Sequence, residues 1–139
     1  MNSFIIKQKL PSLNDTLRYN RTNAYVGAKF KKEVEEVIGW AIRRALTAKT
    51  LHRVEVPVIV KIEWHEKTIK RDADNIQSSV KFILDALVNK GVLVDDSRKY
   101  VKQIHHEIVD DNENYVIVEL IEVQNGGRTI KNRVSRKFS

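Results

Sequence analysis

The chain predicts an α/β (α+β) sandwich, a mixed β-sheet of about four strands carrying two main helices. Three observations lead there. Apolar residues recur at helical spacing from Tyr25 to Lys49, and again from Asp74 to Lys90. Val54 to His65 alternates between apolar and polar with a period of two. Two further strand-like runs close the folded part, giving the order β-α-β-α-β-β.

Ser3 to Lys9 is the first expected strand, ended by the turn-like Pro11-Ser12-Leu13-Asn14-Asp15. A polar, basic loop with Arg18, Tyr19, Asn20 and Arg21 follows. Phe30, Val34, Val37, Ile38, Ala41, Ile42 and Ala45 then mark one face of a long amphipathic helix. Its other face carries Lys29, Lys32, Arg43 and Arg44. In the next strand Val56, Val58, Val60, Ile62 and Trp64 point one way. Pro57 lacks an N–H, which predicts an edge strand or an outward-turned position there.

The second helix, Asp74 to Lys90, has Ile76, Val80, Ile83, Leu84 and Leu87 as its apolar set, with Gly91 as its stop. Tyr100–Val109 and Tyr115–Val123 are the last strands, joined by a polar hairpin loop at 110–114. Apolar residues on both faces of the final strand predict a central position, or cover by a partner subunit.

At 139 residues the chain reads as one domain, 1–124, followed by a basic, flexible tail, 125–139. Net charge is +7, but the tail holds five basic residues and no acidic ones. The body is therefore only about +2, with 20 basic residues against 18 acidic. Such a tail points to a polyanionic partner, nucleic acid first; the plainer reading is a solubilising tail. No cysteine is present, which excludes disulfides and thiolate metal sites and suits a reducing, cytoplasmic setting. Met1 to Leu10 is too short an apolar run for a signal peptide, and no segment would cross a membrane.

Against this basic background, negative charge gathers at Asp72 and Asp74, and again at Asp95 and Asp96. A strand end and a helix-end loop can bring Asp72, Asp74 and one of the later pair to a common point. Three carboxylates that close repel one another unless a cation joins them. Magnesium suits such a site, because it takes a few carboxylates and fills its remaining positions with water and phosphate oxygens. Each residue also has a plain reading. Asp74 and Gln77 form a capping-box pattern, Arg71 can simply pair with Asp72, and Asp95-Asp96-Ser97 makes a polar turn. At about 100° per residue, Asp74, Ser78, Lys81 and Asp85 share one helical stripe. Lys81 there can stabilise phosphate charge, or equally form an i,i+4 ion pair with Asp85.

Arg71-Asp72-Ala73-Asp74-Asn75, Leu84-Asp85-Ala86-Leu87, Gly91-Val92-Leu93 and Asp95-Asp96-Ser97 together resemble the RusA family of Holliday-junction resolvases. Ile62-Glu63-Trp64-His65 is similar, more loosely, to the family's approach to the first motif. The resemblance covers most of Ile62 to Val101. It implies a small homodimeric endodeoxyribonuclease of the kind often encoded by prophages, cutting branched DNA with magnesium, or manganese as a substitute. Asp72, Asp74 and Asp96 would be the metal-binding and catalytic carboxylates, with Asp95 beside them. The family's catalytic lysine falls at Ser78 here, one turn before Lys81, and Lys81 is assigned its role. Products carrying a 5′-phosphate and a 3′-hydroxyl are implied as well.

The expected activity is thus resolution of four-way junctions by paired nicks, with Lys81 or Arg71 assisting at the phosphate. Lys70, Arg71, Arg18, Arg21, Lys29 and Lys32 are the expected DNA contacts, and Tyr19, Tyr25 or Phe30 the candidates for stacking at the crossover. A two-fold dimer would match the symmetry of the junction. The main alternative is a non-catalytic nucleic-acid-binding protein whose aspartates serve as caps and turns. A phosphohydrolase of small nucleotides would need a glycine-rich phosphate cradle, and none is present. Glu63 and His65 are read as supporting positions behind the site. His105 and His106 point to opposite faces, and no histidine is given a metal role.

Overall fold

The computed structural model describes residues 1–69 and 71–124, together with a short strand at 128–129. Most of the tail, and Lys70 with its expected DNA contact, lie outside the described residues. The fold is α+β. Strands β1 (Ser3–Ile6), β2 (Val58–Glu66), β3 (Val101–Asp110) and β4 (Tyr115–Gln124) form a mixed sheet in the order β1-β4-β2-β3. A two-residue β5 (Arg128–Thr129) pairs with the end of β4. The helices are α1 (Leu13–Thr22), α2 (Ala24–Ala48), α3 (Ala73–Gln77) and α4 (Val80–Asn89).

The sheet differs from the expected one in its connections. β3 and β4 are not a hairpin. They flank β2, β3 running parallel to it and β4 antiparallel. The polar loop after β3 therefore crosses the end of β2, where Asp111 N–H donates to the Glu66 carbonyl at 3.0 Å. Because β2 is central, the edge position inferred from Pro57 is also corrected. Pro57 lies just before the strand and needs no N–H there, while its carbonyl accepts from Val123 N–H. Val56, expected to share the face of Val58 and Val60, lies before the strand and is 40% exposed. β4 sits between β1 and β2, the central position expected of it, with Val116, Val118 and Leu120 on the face that meets the helices.

One face of the sheet carries the core. Phe4, Ile6, Val58, Val60, Ile62, Trp64, Val116, Val118 and Leu120 pack there with Val34, Ile38 and Ile42 of α2 and Phe82, Ile83 and Leu87 of α4. Trp64 is 1% exposed, and its indole N–H donates to His106 Nδ1 at 2.9 Å. Burial, and then the charge of neighbouring His105, hold His106 below the usual histidine value, consistent with a neutral ring accepting that bond. His105 turns to the other face, with its ring nitrogen 2.6 Å from Gln103 Oε1.

The expected loop around Arg18 to Arg21 is helix α1 instead. Ser12 is its N-cap in a full capping box, accepting from Asp15 N–H while Asp15 Oδ2 accepts from Ser12 N–H. Few residues of α1 are apolar and none is buried, so it lacked the periodic stripe that marks α2. α1 packs closely on α2 at Gly27, where a Cβ would come within 3.2 Å of the Asn20 Cα.

The single helix expected from Asp74 to Lys90 is broken into α3 and α4 at Ser78–Ser79. Ser78 Oγ donates to the Asn75 carbonyl and Ser79 Oγ to the Pro11 carbonyl, so both hydroxyls bond to backbone at the break. α4 ends as expected at Gly91, which takes φ +76°, a left-handed conformation that favours glycine.

Candidate active site

The acidic motif follows directly on the C-terminal end of β2. That end is pinned on two sides, by Asp111 N–H on the Glu66 carbonyl and by Lys67 N–H donating to Asn114 Oδ1 at 2.8 Å. Arg71, a few residues on, turns back onto the strand. Its Nε and Nη2 donate to the two carboxylate oxygens of Glu66, at 3.1 and 2.7 Å. Its Nη1 donates to the Leu10 carbonyl at 3.0 Å. Arg71 therefore pairs with Glu66 and not with Asp72. Three of its five N–H donors are thus engaged within the fold.

Asp72 and Asp74 come next, both exposed. Asp72 is the N-cap of α3, yet its side chain makes no capping bond. Asp74 lies inside the first turn, and its Oδ1 accepts from the adjacent Asn75 N–H at 3.0 Å. The capping-box reading of Asp74 and Gln77 is thus not what the local structure shows.

The second acidic pair follows α4. Asp95 Oδ1 accepts from Asp96 N–H at 2.8 Å, the polar turn read from the sequence. Asp96 reaches α4 instead: Lys81 Nζ donates to its Oδ2 at 2.9 Å and also lies 3.1 Å from Asp85 Oδ1. Lys81 thus forms the i,i+4 pair with Asp85 and reaches the acidic motif as well. The hydrogen bond from Lys81 holds the Asp96 carboxyl below the usual range, and bonds to Asp96 and then Asp85 raise the lysine above its own. Ser78, on the same stripe one turn before Lys81, spends its hydroxyl on the Asn75 carbonyl.

Among the described residues, no three acidic, histidine or cysteine side chains stand close enough together to hold an ion. Asp72, Asp74 and Asp96 do not form such a group with their side chains as they lie, and Asp96 is neutralised by Lys81. The donor chemistry nevertheless suits a hard divalent cation. It comprises exposed carboxylates, and beside them Asn75 Oδ1, a buried oxygen with no hydrogen-bond partner.

Four of the expected DNA contacts lie on α1 and α2. Arg18 and Arg21 lie on α1, which packs beside α3 and lines a shallow depression with Asn14, Leu17 and Thr22. Lys29 and Lys32 are exposed on α2, around a second depression that also includes Tyr25, Glu33 and Glu36. Of the stacking candidates, Tyr25 is 75% exposed, whereas Tyr19 and Phe30 stack on each other at 4.4 Å.

His65 and Glu63 belong to a separate cluster on the sheet face away from the helices. His65 Nε2 lies 3.0 Å from Glu63 Oε1 and its Nδ1 2.9 Å from Asp111 Oδ2. Tyr115 O–H donates to the same Asp111 oxygen and its ring stacks on His65 at 4.0 Å. This cluster ties β2 to the crossing loop.

Fold and site together define an α+β protein with exposed carboxylates at the start of α3, beside the helix that carries Arg18 and Arg21. A family model described as Endodeoxyribonuclease RusA matches residues 9–121. The chain belongs to the RusA endodeoxyribonuclease family, a family of nucleases whose substrate is DNA. No curated protein gives a match to it. Among the described residues, no helix is long and apolar enough to cross a membrane.

Proposed function

We propose that the protein is a magnesium-dependent, structure-selective endonuclease that resolves Holliday junctions by paired nicks, with Asp72, Asp74 and Asp96 as metal ligands. The observation that carries this reading is the state of Asp72 and Asp74. Both carboxylates are exposed and clear of the capping roles that would explain them otherwise, a few residues beyond a pinned strand end.

A divalent ion, with manganese as a substitute for magnesium, supplies an activated water and neutralises charge developing on the scissile phosphate. The chain's own residues do the rest. Asp72 and Asp74 present oxygen donors from one segment, and Asp96, with Asp95 beside it, from the other. Lys81 donates to Asp96 and serves the phosphate as charge builds. Arg18, Arg21, Lys29 and Lys32 contact the arms of the junction.

A two-fold dimer places two sites on a substrate with two strands to cut. Ile5, Ile117 and Ile121 lie on the sheet face opposite the helices, and Ile5 is 38% exposed, which supports that face as the contact between copies. Replacing Ile117 with Glu should leave a monomer in sedimentation; an unchanged dimer counts against this face.

The test of the activity is incubation with a synthetic four-way junction, with and without magnesium, beside a matched linear duplex. Magnesium-dependent nicks confined to the junction support the reading. Binding without scission under every metal condition leaves a non-catalytic DNA-binding protein.

A further inference from the structure

Glu66 is 4% exposed, among the most buried charged residues of the described chain, and its carboxylate lies against the Arg71 guanidinium. A carboxylate so buried requires a partner of good geometry, and the two-pronged contact with Arg71 provides it. The same guanidinium holds the Leu10 carbonyl, so one residue joins the end of β2 to the chain leading into α1. At the other end of α3, Ser79 donates to the Pro11 carbonyl. The short helix bearing Asp74 is thus pegged at both ends to two successive carbonyls, Leu10 and Pro11. Asp72 is the residue immediately after Arg71, so any displacement of that guanidinium bears on it directly.

We propose that Glu66, acting through Arg71, is a positioning residue that fixes the orientation of Asp72 and Asp74 toward a divalent ion. This rests on the metal-dependent nuclease reading and extends it to a residue that touches neither ion nor DNA. A five-residue helix cannot hold itself in place, because short helices depend on tertiary anchors. Without the pegs at Leu10 and Pro11 the acidic segment would be free to swing.

The experiment compares wild type with Glu66→Gln and Arg71→Lys. Glu66→Gln keeps the shape and removes the charge. Arg71→Lys keeps the charge but cannot reach both Glu66 oxygens and the Leu10 carbonyl at once. Manganese binding to the DNA-free protein is measured by calorimetry, the magnesium dependence of single-turnover junction cleavage alongside it, and thermal melting as a check on folding. The expected result is a loss of about tenfold or more in manganese affinity in the folded variants, the scale on which residues supporting metal ligands act. The magnesium profile should shift upward by the same factor, with high magnesium restoring part of the rate.

A purely structural role would lower the melting temperature and leave ion affinity unchanged, and that result overturns the proposal. Should Glu66→Gln fail to fold, Arg71→Lys decides alone. Wild type that binds no manganese and cuts no junction overturns the nuclease reading, and this proposal with it. Wild type that does both, matched by its variants, overturns this proposal only.

Discussion

Lys81 Nζ lies 2.9 Å from Asp96 Oδ2, joining the start of α4 to the acidic pair fifteen residues later. Asp85 Oδ1 shares the same ammonium at 3.1 Å. The lysine side chain is 67% exposed, so solvent screens both contacts and their worth to the fold is small. On the proposed reading its charge serves the phosphate more than the fold.

Lys81→Met should therefore separate the two effects. Junction cleavage is expected to fall on the order of a hundredfold, as when a charge-stabilising group is removed from a reacting centre. Thermal stability should change by less than about 1 kcal/mol, the ceiling for exposed ion pairs. Single-turnover rates and melting curves on the same preparation check this, and near-normal cleavage removes Lys81 from the mechanism.

Arg18 and Arg21 give a prediction that does not involve scission. Changing either to Ala should weaken junction binding for all sequences alike and flatten the salt dependence by about one unit of slope for each phosphate no longer engaged. Titrations at several salt concentrations read the slope directly. An unchanged slope in both variants places the DNA elsewhere on the molecule.

The His65 cluster makes stability depend on pH. Burial alone lowers its affinity for a proton, but hydrogen bonds to Glu63 and Asp111 prevail and raise it above 6.5. A group whose folded value is raised binds its proton more tightly in the folded state. The resulting stabilisation is complete below 6.5 and is lost as pH rises through the raised value. Asp111 is shifted the other way, chiefly by its bond to His65, so its share is lost as pH falls through its lowered value. His65→Gln should flatten the fall in melting temperature as pH rises above 6.5. A wild-type profile that shows no such fall contradicts the assignment.

Much of this architecture could be read from residues because burial left a periodic mark. α2 and β2 carry long apolar patterns, and both lie within a few residues of where those patterns placed them. α1 left no such mark, since nothing on it is buried, although Pro11-Ser12 with Asp15 held the capping signal that would have revealed it. The break at Ser78–Ser79 depends on the Pro11 carbonyl, a partner distant in sequence and invisible to local spacing. The strand order failed for a similar reason. A short polar loop looks the same whether it closes a hairpin or steps over an intervening strand.

The site was legible as a set of motifs but not as a geometry. Asp72, Asp74, Asp96 and Lys81 stood out through charge in a basic chain. What local pattern could not show was the commitment of Arg71 to Glu66, because that bond depends on where β2 ends and on the Leu10 carbonyl. Nor could spacing show that Lys81 would reach Asp96 as well as Asp85.

The most direct measurement is Asp74→Asn, assayed for cleavage and for binding on the same four-way junction in magnesium. Scission should disappear while binding stays intact or tightens, since one negative charge facing the phosphates is removed and the fold is left alone. Cleavage at the wild-type rate would contradict the assignment of these carboxylates to the reaction.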